Sequence, residues 1–201
     1  MRKSIILTVG IGLAILAGAV ATQAAPQMYW DQGQRKFVAY DSGKMAYHGR
    51  KAIKRKEIKY DGPYGPNTIV INTSERRLYY IYEKGKAVKY GIGVGREGFE
   101  WAGTNNISRK AEWPGWTPPP EMIARERAKG RILPAYMEGG IKNPLGARAL
   151  YIGSTIYRIH GSNEPWTIGQ AVSSGCIRLT NDDIVNLYDR VKVGTKVVVL
   201  R

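Results

Sequence analysis

The chain has 201 residues, 43% of them apolar and 23% charged, with a net charge of +15. That composition excludes wholesale disorder and allows one domain of ordinary size with extras. One cysteine and two widely separated histidines exclude an internal disulfide and a metal-ligand cluster.

Arg2 and Lys3 precede an apolar run from Ile5 to Ala21, with small residues at Ala19-Val20-Ala21 or Thr22-Gln23-Ala24. This pattern predicts a secretory signal peptide over residues 1–24 and a protein exported to the periplasm or cell envelope. The run is short for a membrane span and carries Gly10, Gly12 and Gly18, which favours cleavage over anchoring. In an exported protein an unpaired thiol is unusual, so Cys176 stands out, for intermolecular pairing or for reactivity.

Residues 25–66 hold nine Lys/Arg against four Asp/Glu, and residues 67–201 twenty against twelve. Export and the lack of a groove-reading motif argue against nucleic acid. The basic balance suits an acidic polymer, a membrane face, or a solvated surface with no specific partner. Over 25–66 no period is sustained, which predicts a basic N-terminal extension or linker with at most short strands; His48 is read there as an exposed bystander.

From Asn67 short runs rich in Val, Ile and Tyr begin: NTIVINT, RLYYIYEKGKAVKYGIGVG, RALYIG, STIYRIH and TKVVVL. They predict a mainly antiparallel β domain over residues 67–201, with a hairpin turn at Glu83 to Lys86. Gly93-Val94-Gly95-Arg96-Glu97-Gly98 spells GxGxxG, but FEWAGTNN follows where a dinucleotide site needs a helix. A turn is the better reading. Residues 99–147, with Trp113, Trp116 and Pro118 to Pro120, predict a long inserted loop over the sheet, with a short helix within EMIARERAKG. Thr180-Asn181-Asp182-Asp183 then caps a helix with Ile184, Leu187 and Tyr188 on one face, and Gly194 leads into the last strand.

Within HGSNEPWTIGQAVSSGCIRL lie His160 and Cys176, a thiol and an imidazole, the two parts that nucleophilic acyl transfer needs. Fifteen residues separate them, so the fold must bring them together. If YRIH closes a strand and SSGC is a tight turn, it can. Gly175 suits that turn, and the N–H groups of Ser174, Gly175 and Cys176 would then form an oxyanion hole. Arg178 suits either a substrate carboxylate or a lock on the turn through backbone carbonyls. Tyr157 and Trp166 are candidate substrate walls, with core packing the equal alternative.

His160-Gly161, a spacer and then Ser173-x-Gly175-Cys176-Ile177-Arg178 resemble the signature of the L,D-transpeptidase catalytic domain of YkuD type. WPGWTPPPEM and NPLGARAL resemble further segments of that family, so the likeness covers residues 67–201. The commoner family form has histidine where this chain has Ser174. The resemblance implies a β-sandwich-like fold with one or two short helices, no cofactor and no metal. It implies that Cys176 attacks a tetrapeptide stem of peptidoglycan and expels D-alanine, that the thioester is resolved by a second stem to give a 3-3 cross-link, and that carbapenems acylate Cys176. It also implies that a backbone carbonyl near Gly161 orients His160. Water or an envelope protein as acceptor, and a non-catalytic peptidoglycan-binding module, remain alternatives.

Overall fold

Runs rich in Val, Ile and Tyr in the predicted strands demand a sheet that buries them, and the chain builds one. The structure, a computed structural model, describes residues 28–31, 36–39, 53–97 and 101–201. The predicted signal peptide, His48 and Gly98 lie outside the described residues. Strands β1 (Met28–Asp31) and β2 (Lys36–Ala39) form an antiparallel hairpin. Then come β3 (Lys56–Lys59), β4 (Thr68–Asn72), β5 (Arg77–Glu83), β6 (Lys86–Gly91), β7 (Val94–Gly95) and β8 (Gly103–Glu112). Helix α1 (Pro120–Arg127) is followed by β9 (Arg148–Ile152), β10 (Arg158–His160), β11 (Ala171–Ser173), β12 (Ile177–Arg178), helix α2 (Asn181–Arg190) and β13 (Lys196–Leu200).

Nine of these strands make one mixed sheet in the order β12-β10-β9-β8-β13-β4-β5-β6-β3. Its neighbours are antiparallel except β4 with β13 and β10 with β12. Period-2 geometry sends Ile69 and Ile71 of β4, Leu78 and Tyr80 of β5, Val88 and Tyr90 of β6, and Val197 and Val199 of β13 into the main core. Val70, Ile81 and Ala87 point the other way into a small second cluster with Ile58, Tyr60, Tyr64 and Tyr79.

The chain leaving β6 returns to the far end of the same sheet. Gly93 N–H donates to the Arg178 carbonyl at 2.8 Å and Arg178 N–H to the Gly93 carbonyl at 2.9 Å, while β7 pairs in parallel with β11. This link curls the sheet toward a sandwich around its core. It also settles the glycine-rich run: Val94 and Gly95 are strand, and the next element, β8, is another strand.

Helix α2 packs its Ile184 and Leu187 into the core beneath β9. Thr180 Oγ1 accepts from the Asp183 N–H at 3.2 Å, as the capping pattern predicts. At the other end Lys110 Nζ donates to the carbonyls of Tyr188 and Val191, each at 2.6 Å, a cation placed where the helix dipole favours one. Upstream of the sheet, Arg55 reaches Asp183 at 3.1 Å.

One expectation is overturned. Residues 99–147 are not loop throughout, because β8 spans ten of them and lies between β9 and β13 near the centre of the sheet. Its sequence, GTNNISRKAE, hides this: only Ile107 is fully buried, so there is no apolar alternation to read. Ladder hydrogen bonds to strands on both sides hold it extended despite a poor intrinsic preference. The irregular stretch starts at Trp113, whose φ of +40° ends the strand.

Candidate active site

Ile159 of β10 and Ile177 of β12 are both buried in the core and directly paired, and His160 pairs with Arg178. The side chains on either side of Ile159 and Ile177 therefore share the opposite face of the sheet. Cys176 thus stands beside His160 on the neighbouring strand line, one diagonal step back, about 8 Å between Cα atoms from strand spacing and rise. From that separation two side chains can converge. The parallel pairing of β10 with β12 brings the segments that hold the two residues side by side.

The imidazole is almost wholly enclosed, at 4% exposure. Its Nδ1 lies 2.5 Å from the Gly161 carbonyl oxygen. A carbonyl can only accept, so Nδ1 carries the proton and Nε2 presents a lone pair. Burial pushes its pKa down to about 3, aided by the charges of Arg178 and Arg158 and opposed by the Gly161 carbonyl. The ring is consequently neutral near pH 7, the form that accepts a proton.

Cys176 is half-buried, free, and 4.0 Å from the Ile156 carbonyl oxygen at Sγ. Its turn is stapled by Ser173, whose hydroxyl accepts from the Gly175 N–H at 3.1 Å and donates to the Cys176 carbonyl at 2.6 Å. Gly175 holds φ +100°, which a side chain at that position would strain. With the Gly175 N–H engaged, the N–H groups of Ser174 and Cys176 are the ones left without an acceptor among the described residues.

Several residues that position the pair were invisible in the sequence. Trp101 Nε1 donates to the Gly175 carbonyl at 3.0 Å, and its ring stacks on Tyr157 with centroids 4.7 Å apart and planes 5° from parallel. Nothing near Trp101 in sequence points to a turn seventy-four residues away. Asn181, 1% exposed, accepts at Oδ1 from the N–H groups of Ala147 at 2.9 Å and Ser162 at 3.2 Å, tying the end of β10 to the start of β9. Asn143 Nδ2 donates to the carbonyls of Pro114, Met137 and Glu138, and its Oδ1 accepts from Leu145, so this one buried amide shapes the NPLGAR loop.

The remaining sequence candidates are placed as follows. Tyr157 packs on Trp101 and the core. Trp166 sits half-buried in a short 3-10 turn, Pro165–Thr167, with its carbonyl accepting from Gln170 Nε2. Arg178 pairs with the Glu164 carboxylate at 3.1 Å. A cleft of about 440 Å³ opens elsewhere, at the β3–β6 end, lined by Ile53, Lys54, Lys56, Arg77, Lys89, Tyr90 and Gly91. Neither Cys176 nor His160 is among its walls.

Loss of the indole N–H should loosen the turn without touching the thiol. The Trp101→Phe variant is expected to keep its fold, while alkylation of Cys176 by iodoacetamide changes at least about threefold, from the loss of one neutral hydrogen bond. An unchanged alkylation rate counts against the role given to Trp101.

Residues 66–199 match the YkuD family model, the L,D-transpeptidase catalytic domain. The chain is 44% identical over 137 residues to a probable L,D-transpeptidase, ErfK/SrfK, of Escherichia coli K12, across 66% of this chain and 43% of that protein. It is 47% identical over 135 residues to a second from the same organism, YbiS, across 64% of this chain and 43% of that one. It thus spans less than half the length of these relatives. A solved structure from Brucella melitensis, named a probable carnitine operon oxidoreductase, is 44% identical with a TM-score of 0.50, over 80% of this chain and 100% of that one. With the family model running across both His160 at the end of β10 and Cys176 just before β12, the chain belongs to the YkuD family of L,D-transpeptidase catalytic domains.

Proposed function

We propose that the protein is an exported peptidoglycan L,D-transpeptidase that works through a thioester on Cys176. The observation that supports this reading is the β10–β12 register, which makes the strand ending at the buried His160, its Nδ1 held by the Gly161 carbonyl, the neighbour of the strand that follows Cys176. His160 Nε2 takes the thiol proton as Sγ attacks the carbonyl of the L-centre in a tetrapeptide stem. The oxyanion is met by the N–H groups of Ser174 and Cys176. When the C–N bond breaks, the imidazolium hands its proton to the departing amine of D-alanine, leaving a thioester. An amine from a second stem then attacks, His160 takes its proton, and the new amide forms as Sγ leaves and is reprotonated.

The glycine-rich run includes β7, and among the described residues after it the next element is strand β8, not a helix whose N-terminus could receive a pyrophosphate. The test is mass spectrometry of purified protein with a disaccharide tetrapeptide. A thioester adduct with release of D-alanine is expected, and the Cys176→Ala variant should show none. Cross-linked dimers as product support stem amines as acceptor, whereas tripeptide alone assigns water. No adduct in the unmodified protein overturns the reading.

A further inference from the structure

Ile159 faces the core, so Arg158 points to the same side of β10 as His160. Continued one residue back from the Ile159–Ile177 pair, the parallel register brings it level with Cys176, the residue just before β12, about 4.8 Å away at the spacing of neighbouring strands. Across the sheet the same row continues through Tyr151 of β9, which pairs with both Arg158 and Arg109. The Arg109 guanidinium carbon lies 3.5 Å from the Tyr151 ring centroid and that of Arg158 5.5 Å. Two guanidiniums, one ring and the thiol therefore lie in one line across four strands.

The charge in this row has no counterpart within the described residues. Arg178 is matched by Glu164, and Arg148 by Glu112. Arg158 makes no ion pair with any described carboxylate, and its Nε, like those of Arg125, Arg148 and Arg178, is buried with no hydrogen-bond partner among the described residues. A buried N–H left without an acceptor costs stability, and a guanidinium is a planar fork matched to a carboxylate. Resting against an aromatic ring limits its freedom. A stem peptide carries free carboxylates.

We infer that Arg158, backed by Tyr151 and Arg109, is a carboxylate-binding subsite beside the nucleophile, recognising a free carboxylate of the stem peptide whose acyl group Cys176 takes. This rests on the peptidoglycan reading above for the identity of the peptide. The subsite sets the register of the stem over Sγ, so that one amide carbonyl is presented to it. Its energy comes from a two-pronged hydrogen bond that an uncharged substrate cannot make.

Binding without chemistry tests it. In the Cys176→Ala protein, calorimetry would compare a tetrapeptide with free carboxylates to peptides amidated at the terminal carboxylate or at the others. One amidation is expected to weaken binding about ten- to a hundredfold, the range for a charge-assisted bidentate contact. Adding Arg158→Gln should weaken the free peptide by a similar factor and leave that amidated peptide unchanged. Arg158→Lys should recover part of the loss, and melting curves should confirm that each variant is folded. If Arg158→Gln weakens free and amidated peptides equally, or weakens neither, the subsite is wrong; so too if the Cys176→Ala protein binds none of the peptides. Thioester formation by the unmodified protein reports separately on Cys176: an adduct without carboxylate coupling sinks the subsite alone, and coupling without an adduct sinks the transpeptidase reading alone.

Discussion

The His160→Gln variant is expected to lose acylation of Cys176 by about 10²–10⁴-fold, the usual contribution of a positioned general base. The same substitution carries a second, independent readout in stability. Burial depresses the pKa of His160 from 6.5 to about 3, so the unfolded chain binds a proton that the folded one refuses between those values. Stability from the neutral ring is therefore complete above about pH 6.5 and is lost as pH falls toward 3, by an amount on the order of 5 kcal/mol. That is comparable with the whole stability of many domains. Melting temperatures measured from pH 7 to pH 4 should fall steeply in the unmodified protein and much less in His160→Gln. Parallel curves would show that the imidazole is more open to solvent than its 4% exposure implies.

The second large effect falls on a residue that touches no substrate. Asn181→Ala removes the acceptor for the Ala147 and Ser162 N–H groups, both buried. Two buried donors left bare are expected to cost about 2–6 kcal/mol, which for a chain of this size lowers the melting temperature by about 5–20 °C. Gly161→Ala attacks the same joint from the other side. A Cβ there would lie 2.2 Å from Asn181 Oδ1 and 3.0 Å from both the Ala147 nitrogen and Ile184 Cγ2. Since the Gly161 carbonyl holds His160 Nδ1, both variants should also slow thioester formation in whatever protein remains folded. A melting temperature within 2 °C of the parent for Asn181→Ala would refute the assignment.

Legibility in the sequence tracked how local each signal was. The Val- and Ile-rich runs in NTIVINT and TKVVVL, the Thr180 cap, and the Glu83 to Lys86 turn are properties of adjacent residues, and the structure has strands, cap and hairpin where they point. Strand β8 failed the same test because it is polar along most of its length and is held by its neighbours. Trp101, Asn143 and Asn181 act through single hydrogen bonds to distant backbone, and one tryptophan or asparagine in a sequence carries no mark of its partner.

By itself the sequence determined the chemical parts: one thiol, an imidazole at His160 followed by glycine, a turn of small residues before the thiol, and enough Val, Ile and Tyr for a β core. Only the tertiary structure decided that the strand ending at His160 and the strand beginning after Cys176 are neighbours. The parallel seating of β12 against β10, the curl closed by Gly93 and Arg178, and the row of Arg158 beside Cys176 all depend on which strands are neighbours. Strand adjacency arises from pairing and burial over the whole sheet, which no stretch of twenty residues encodes.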